Sequence, residues 1–110
     1  MSFPIDTDKV VKDMVQAASG ALVKGGQQAT DYASHEFEKF IADLDHIQDL
    51  LEKGKISAED AQYYADLQKS SMKAVLLTIQ GLGVIAVQNA VNAALAVLTA
   101  ALGAALKLAL

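Results

Sequence analysis

The sequence predicts an all-α fold, a helical hairpin or bundle with a long apolar helix at its C-terminal end. Apolar residues recur with helical spacing from Val10 onward, and the only proline, Pro4, precedes the first of them. The 33 residues 74–106 carry no charge, and 53% of the 110 residues are hydrophobic. We expect residues 1–110 to form a single helical domain in which something must cover this charge-free stretch.

Helix 1 is predicted over residues 6–24. Asp6 or Thr7 can cap its first turn, and Asp8 is favoured there by the helix dipole. Apolar residues then follow at intervals of three and four, which is the pattern of an amphipathic helix. The two glycines at 25 and 26 end or kink this helix.

Helix 2 is predicted over residues 27–53 and carries a regular apolar seam. The intervals between the seam residues alternate between four and three, as in a heptad repeat. About two and a half heptads are too few for an independent coiled coil, so we expect one helix of a small antiparallel bundle. The seam consists of Ala33, Phe37, Phe40, Leu44, Ile47 and Leu51.

A tight connection separates helix 2 from the next helix. Gly54 is well placed as the left-handed residue beyond a helix end, and Ser57 can cap a new helix with Asp60 at its third position. A helix end and a helix start so close together predict an αα-hairpin.

Residues 57–107 are predicted to form an apolar C-terminal helix or helix pair. At 100° per residue, the charged stripe of residues 62–73 continues as an uncharged polar stripe formed by Gln80, Gln88, Asn92 and Thr99. This continuity favours one helix of about 49 residues, about 73 Å long. The alternative is a break near Gly81–Gly83 or near Asn89, which would make four helices.

The charge distribution excludes a nucleic-acid partner. Residues 1–73 hold all 13 acidic residues, and the nine basic residues of the chain are all lysines. Nucleic-acid binding normally requires a basic surface and arginines for phosphate and base contacts.

The sequence also predicts no enzyme, metal site or cofactor. Its two histidines, His35 and His46, fall opposite the heptad seam, and Asp43 with His46 is a single carboxylate–histidine pair where a di-metal bundle needs two. The glycines at 81 and 83 lack the further residues of a phosphate-binding loop. There is no cysteine, and a nucleophile–base–acid set would have to use one of two histidines that both face solvent on one helix. We therefore expect no catalytic residues and no small-molecule substrate.

A membrane is the alternative cover for the apolar stretch. A spanning helix needs about 20 mostly apolar residues, and Gln88 with Asn89 interrupts the most apolar part. The N-terminus lacks a basic region followed by an apolar run, which predicts a cytoplasmic protein or one exported without a cleaved signal peptide. Membrane association through residues 74–110 remains open.

These observations lead to three functional hypotheses. The first is a non-enzymatic protein that binds copies of itself or a helical partner through its apolar C-terminal helix. The second is a membrane-active protein, inserting or pore-forming, that uses residues 74–110, and the third is a monomeric adaptor or immunity-type bundle. The predicted interface consists of Leu76, Ile79, Leu82, Val84, Val87, Val91, Leu95, Leu98 and Leu102.

Overall fold

The computed structural model describes residues 3–110, and these form four α-helices without a strand. The helices are α1 (Thr7–Leu22), α2 (Gly26–Glu52), α3 (Ala58–Leu76) and α4 (Val84–Leu102). One 3₁₀ turn, Val23–Gly25, joins α1 to α2, and a second, Gly103–Ala105, follows α4. The all-α prediction is confirmed, and the first two helices begin and end within two residues of their predicted bounds.

The helix ends follow the capping signals in the sequence. The Asp6 side chain accepts a hydrogen bond from the Lys9 N–H at 3.3 Å, and Ser57 Oγ accepts one from the Asp60 N–H at 3.0 Å. Gly54 has a φ of +72°, which is the left-handed conformation that ends a helix. The turn between α2 and α3 is therefore specified locally.

Packing places α1 between α4 and α2, and α2 between α1 and α3. The heptad seam of α2 faces this core: Phe37, Phe40, Leu44 and Ile47 are buried, whereas Leu51 is half-buried. Helices α3 and α4 make few direct contacts with each other. The helices thus leave a cleft between α3 and α4.

The prediction of one continuous helix over residues 57–107 is wrong, and the alternative with a break near Gly81–Gly83 is correct. Helix α3 ends at Leu76, and α4 begins at Val84. The turn between them buries Ile79 and Leu82, and α4 folds back against α1. Folding back covers apolar side chains that a 49-residue helix would leave in water, and each such side chain contributes about 1.5–3 kcal/mol when fully buried.

Two glycines allow this turn to approach the α1–α2 connection. Gly81 has a φ of +94°, and a Cβ atom there would lie 2.5 Å from the Lys24 carbonyl oxygen. A Cβ atom on Gly25 would lie 3.2 Å from side-chain atoms of both Ile79 and Leu82. Close packing of the two connections therefore depends on residues without side chains.

The chain after α4 is not helical. Gly103, with a φ of +52°, ends the helix, and Leu106 has extended backbone angles. The predicted continuation of the helix to residue 107 is therefore wrong by about five residues. We call residues 105–110 the C-terminal segment; it lies along the cleft between α3 and α4, as described below.

We expect Gly81→Ala to lower the free energy of unfolding by about 1–3 kcal/mol, because alanine is strained at this φ and its Cβ would clash with the Lys24 carbonyl. Gly20→Ala is the matched control. Gly20 lies in α1 with open space around it. Alanine there should raise the free energy of unfolding by about 0.5–1 kcal/mol, because alanine has the higher helix propensity. Urea unfolding followed by circular dichroism measures both changes. Equal stability of Gly81→Ala and the parent would contradict the close approach of the two connections.

Candidate functional site

The residues predicted as an interface lie mainly in the chain's own core. Only Val84, which is 66% exposed, points to solvent. The other eight are at most 8% exposed, so they are covered within a single chain. They are Leu76, Ile79, Leu82, Val87, Val91, Leu95, Leu98 and Leu102.

The uncharged polar stripe lies on the opposite side of α4, in solvent. Gln80, Gln88, Asn92 and Thr99 are all exposed, and the last three are on α4 itself. Between and beside them lie exposed apolar side chains, including Ile85, which is 75% exposed. We call this surface the outer face of α4; its exposed residues are Val84, Ile85, Gln88, Asn89, Asn92, Ala96, Thr99 and Ala100.

The outer face of α4 has no charge and contains a shallow groove. The groove is mainly apolar, has a volume of about 460 Å³, and runs between α4 and the C-terminal segment. Its lining residues are Asn92, Leu95, Ala96, Thr99, Ala100 and Leu110. This groove shows that Leu110 lies beside the second half of α4.

Gln48 on α2 holds the beginning of the C-terminal segment. Its Nε2 donates to the carbonyl oxygen of Ala105 at 2.6 Å, and its Oε1 accepts from the N–H of Lys107 at 2.9 Å. Nε2 also donates to Glu52 at 3.0 Å. Gln48 is only 2% exposed, so these bonds satisfy an amide that would otherwise be costly to bury.

Gln62 on α3 repeats this arrangement farther along the segment. Its Nε2 donates to the Ala109 carbonyl at 2.8 Å, its Oε1 accepts from the Ala109 N–H at 2.9 Å, and Nε2 also donates to Asp66 at 3.0 Å. Lys69 Nζ then donates to the main-chain oxygen of Leu110 at 2.9 Å. The side-chain amide of each glutamine therefore makes three hydrogen bonds: one to a carboxylate four residues later, and two to a main-chain N–H and carbonyl of the C-terminal segment.

A third glutamine of the same local type has no such role. Gln27 donates to Asp31, four residues later, at 3.0 Å, on the exposed surface at the beginning of α2. Within residues 3–110 its side chain makes no further hydrogen bond. Gln27 therefore serves as a control position: substituting it removes the same bond to a carboxylate but no bond to the C-terminal segment.

Sequence reasoning placed Gln62 on the solvent stripe and did not single out Gln48. Two signals were present. Gln48 lies four residues after Leu44 and three before Leu51, so it borders the heptad seam. The alternation of leucine with other residues at positions 106–110 has the period of extended chain, not of helix.

The fold does not bring the two histidines together. His35 and His46 are both exposed on α2, eleven positions apart, which is about 16 Å along a helix. Across residues 3–110, no group of three or more histidine, cysteine, aspartate or glutamate side chains could hold a metal ion. A pocket of about 10 Å³ between α2 and α3, lined by Glu36 among others, has room for about one water molecule.

One helical segment, Val84–Ala105, is long and apolar enough to cross a membrane, and one third of it is buried in the bundle. The core helix of a water-soluble protein meets the same criteria of length and composition. The segment coincides with α4 and the turn after it, so its inner side is core and its outer side is the outer face of α4.

The chain matches no protein-family model, no curated protein and no solved structure at a significant level. Function is therefore argued from the chain's own surfaces: the outer face of α4, and the cleft that holds the C-terminal segment.

We expect Gln48→Ala to lower the free energy of unfolding by about 1–3 kcal/mol, because it removes the partner of two main-chain groups at a buried position. Gln27→Ala should change it by less than about 0.5 kcal/mol, since only an exposed side-chain contact is lost. Hydrogen exchange at Lys107 should accelerate in the first variant alone. Equal stability of the two variants would show that Gln48 does not hold the C-terminal segment.

Proposed function

We propose that the protein is non-enzymatic and acts by helix association, with a second copy of itself bound through the outer face of α4. The observation that carries this proposal is the exposure of large apolar side chains on an uncharged helix. Val84 and Ile85 are 66% and 75% exposed. Ala96 and Ala100 lie exposed on the same side of the helix, toward its other end. The exposed side chains between Ile85 and Ala96 are uncharged amides, and exposed apolar surface bordered by polar residues is typical of interaction sites.

Charge favours a second copy as the occupant. The net charge is −4, and all 13 acidic residues lie within residues 1–73, outside α4. Two copies that approach through their other faces bring acidic side chains together, whereas two outer faces of α4 meet without like-charge repulsion.

The side chains of the outer face also suit contact between two helices. The small residues Ala96 and Ala100 allow close approach of two helix axes, as in other alanine-rich helix pairs. Gln88, Asn92 and Thr99 can exchange hydrogen bonds across the contact, so burying them leaves no unpaired charge. The proposal thus keeps α4 as the binding element but, apart from Val84, uses exposed residues other than those of the predicted interface.

We expect the unaltered chain to exceed its monomer mass of 11.6 kDa in light scattering at micromolar concentrations. Ala96→Glu should return it to the monomer mass, because it places a buried carboxylate in each half of the contact. Ala17→Glu is the control, since Ala17 is an exposed alanine in the middle of α1. Both variants should keep the parent's helix content. A monomer mass for the unaltered chain would contradict the proposal.

A second candidate is membrane activity through residues 74–110. The observation that favours it is the membrane-compatible length and composition of Val84–Ala105, together with the small fraction of that segment buried in the bundle. Insertion requires α4 to leave α1 and expose its buried side to lipid, and a bilayer supplies the apolar surroundings that α1 supplies in the bundle.

Membrane activity predicts leakage of dye from phospholipid vesicles by a chain that is monomeric in buffer. Ala96→Glu should suppress the leakage, because a carboxylate in the middle of a spanning helix costs about 2.5–3.5 kcal/mol, whereas Ala17→Glu should not. Assembly in buffer without leakage would contradict this candidate. A monomer without leakage would contradict both candidates and favour a monomeric adaptor.

A further inference from the structure

The cleft between α3 and α4 has the features of a peptide-binding groove that is occupied by the chain itself. In the C-terminal segment, Leu108 is 7% exposed and Leu106 and Leu110 are half-buried, whereas Lys107 and Ala109 point outward. Alternate side chains therefore enter the groove, as they do when an extended peptide is bound beside a folded domain.

The polar part of the groove recognises main chain. Gln48 and Gln62 each use one amide to bind a main-chain N–H and a main-chain carbonyl at distances of 2.6–2.9 Å. Such pairing does not depend on the identity of the side chains. Gln48 is 2% exposed in the occupied groove, and besides the bond from its Nε2 to Glu52, its amide is paired there with the main chain of the bound segment.

We propose that this groove is a docking site for a non-helical segment of a partner protein, with leucine or a similar apolar residue at every second position. The C-terminal segment is the resident occupant, and the partner segment displaces it. Gly103, in the left-handed conformation, is the point about which the resident segment can leave while α4 stays in place. This binding site adjoins the outer-face contact proposed above, since Asn92 and Ala96 of the outer face also line the groove beside Leu110.

A partner segment gains more than a second copy does. Exchange of C-terminal segments between two copies breaks and remakes the same contacts, and it still costs the entropy of association. A partner segment with bulkier apolar side chains can in addition fill the open groove beside Leu110, where Asn92 and Ala96 form part of the wall.

The resident segment is a strong competitor because it is tethered. A short tether gives an effective concentration in the millimolar range, so a free peptide of the same sequence binds the unaltered chain weakly. Weakening the resident contacts without altering the groove should therefore reveal the binding site.

The experiment measures fluorescence anisotropy of a labelled peptide with the sequence of residues 103–110, added to full-length chains. Lys107→Pro removes the N–H that Gln48 accepts, and Leu108→Asp removes the buried leucine; both leave the groove itself unchanged. We expect each variant to bind the peptide roughly tenfold more tightly than the unaltered chain does. Adding Gln62→Leu to Lys107→Pro should weaken binding roughly five- to tenfold, whereas adding Gln27→Leu should not.

A peptide carrying Leu108→Asp is the negative control, and circular dichroism checks that each variant keeps its helix content. Absence of saturable binding to either folded variant would overturn the proposal, as would equal binding of the control peptide. A variant that doubles its mass and excludes the peptide would assign the groove to a second copy and would also overturn it. On the unaltered chain, excess peptide should shift the main-chain N–H signals of Lys107 and Ala109 in NMR spectra, because the displaced resident segment loses its bonds to Gln48 and Gln62, and unchanged signals would count against the site.

Discussion

The burial of one side of α4 against α1 is the constraint on which the rest of the structure depends. Residues 74–106 carry no charge, and folding them back at Gly81 buries most of their larger side chains, with α4 packed against α1. The break removes a few helical hydrogen bonds, each of which contributes about 0.5–1.5 kcal/mol net to stability. Each large apolar side chain that becomes buried contributes about 1.5–3 kcal/mol, so the folded-back arrangement is favoured over a continuous helix. In this arrangement the outer face of α4 and the cleft beside it are not covered by another helix.

Local signals allowed prediction of most of the fold. The seam from Phe37 to Ile47, the Ser57 cap and the Gly54 turn each depend on residues within a few positions of one another, and the structure has all three. The residues of the polar stripe on α4 are exposed. The stripe led to the wrong prediction of one continuous helix. Seven residues separate α3 from α4, which is close to two helical turns of 3.6 residues each. Polar residues on either side of such a connection therefore line up on a helical projection, whether or not the connection itself is helical.

The features that were missed depend on contacts between distant parts of the chain. Gly81 adopts its conformation beside Lys24, and a break at that glycine cannot be distinguished from a tolerated helical glycine without that contact. The inward side of α4 was predicted as an interface because no local pattern shows that α1 covers it. Gln62 was likewise assigned by helical position and Gln48 was not singled out, whereas the roles of both come from a segment more than 40 residues later in the chain.

The pairing of α1 with α4 has a consequence for the order of folding. Helices α2 and α3 are joined by a short, well-capped turn, so their hairpin closes a small loop, whereas α1 and α4 come from opposite ends of the sequence. Contacts of such large sequence separation form late and slowly compared with local ones. Until they form, the most apolar helix of the chain has neither of its sides covered. The interval between closure of the hairpin and docking of α4 is therefore the period in which the chain is most exposed to aggregation.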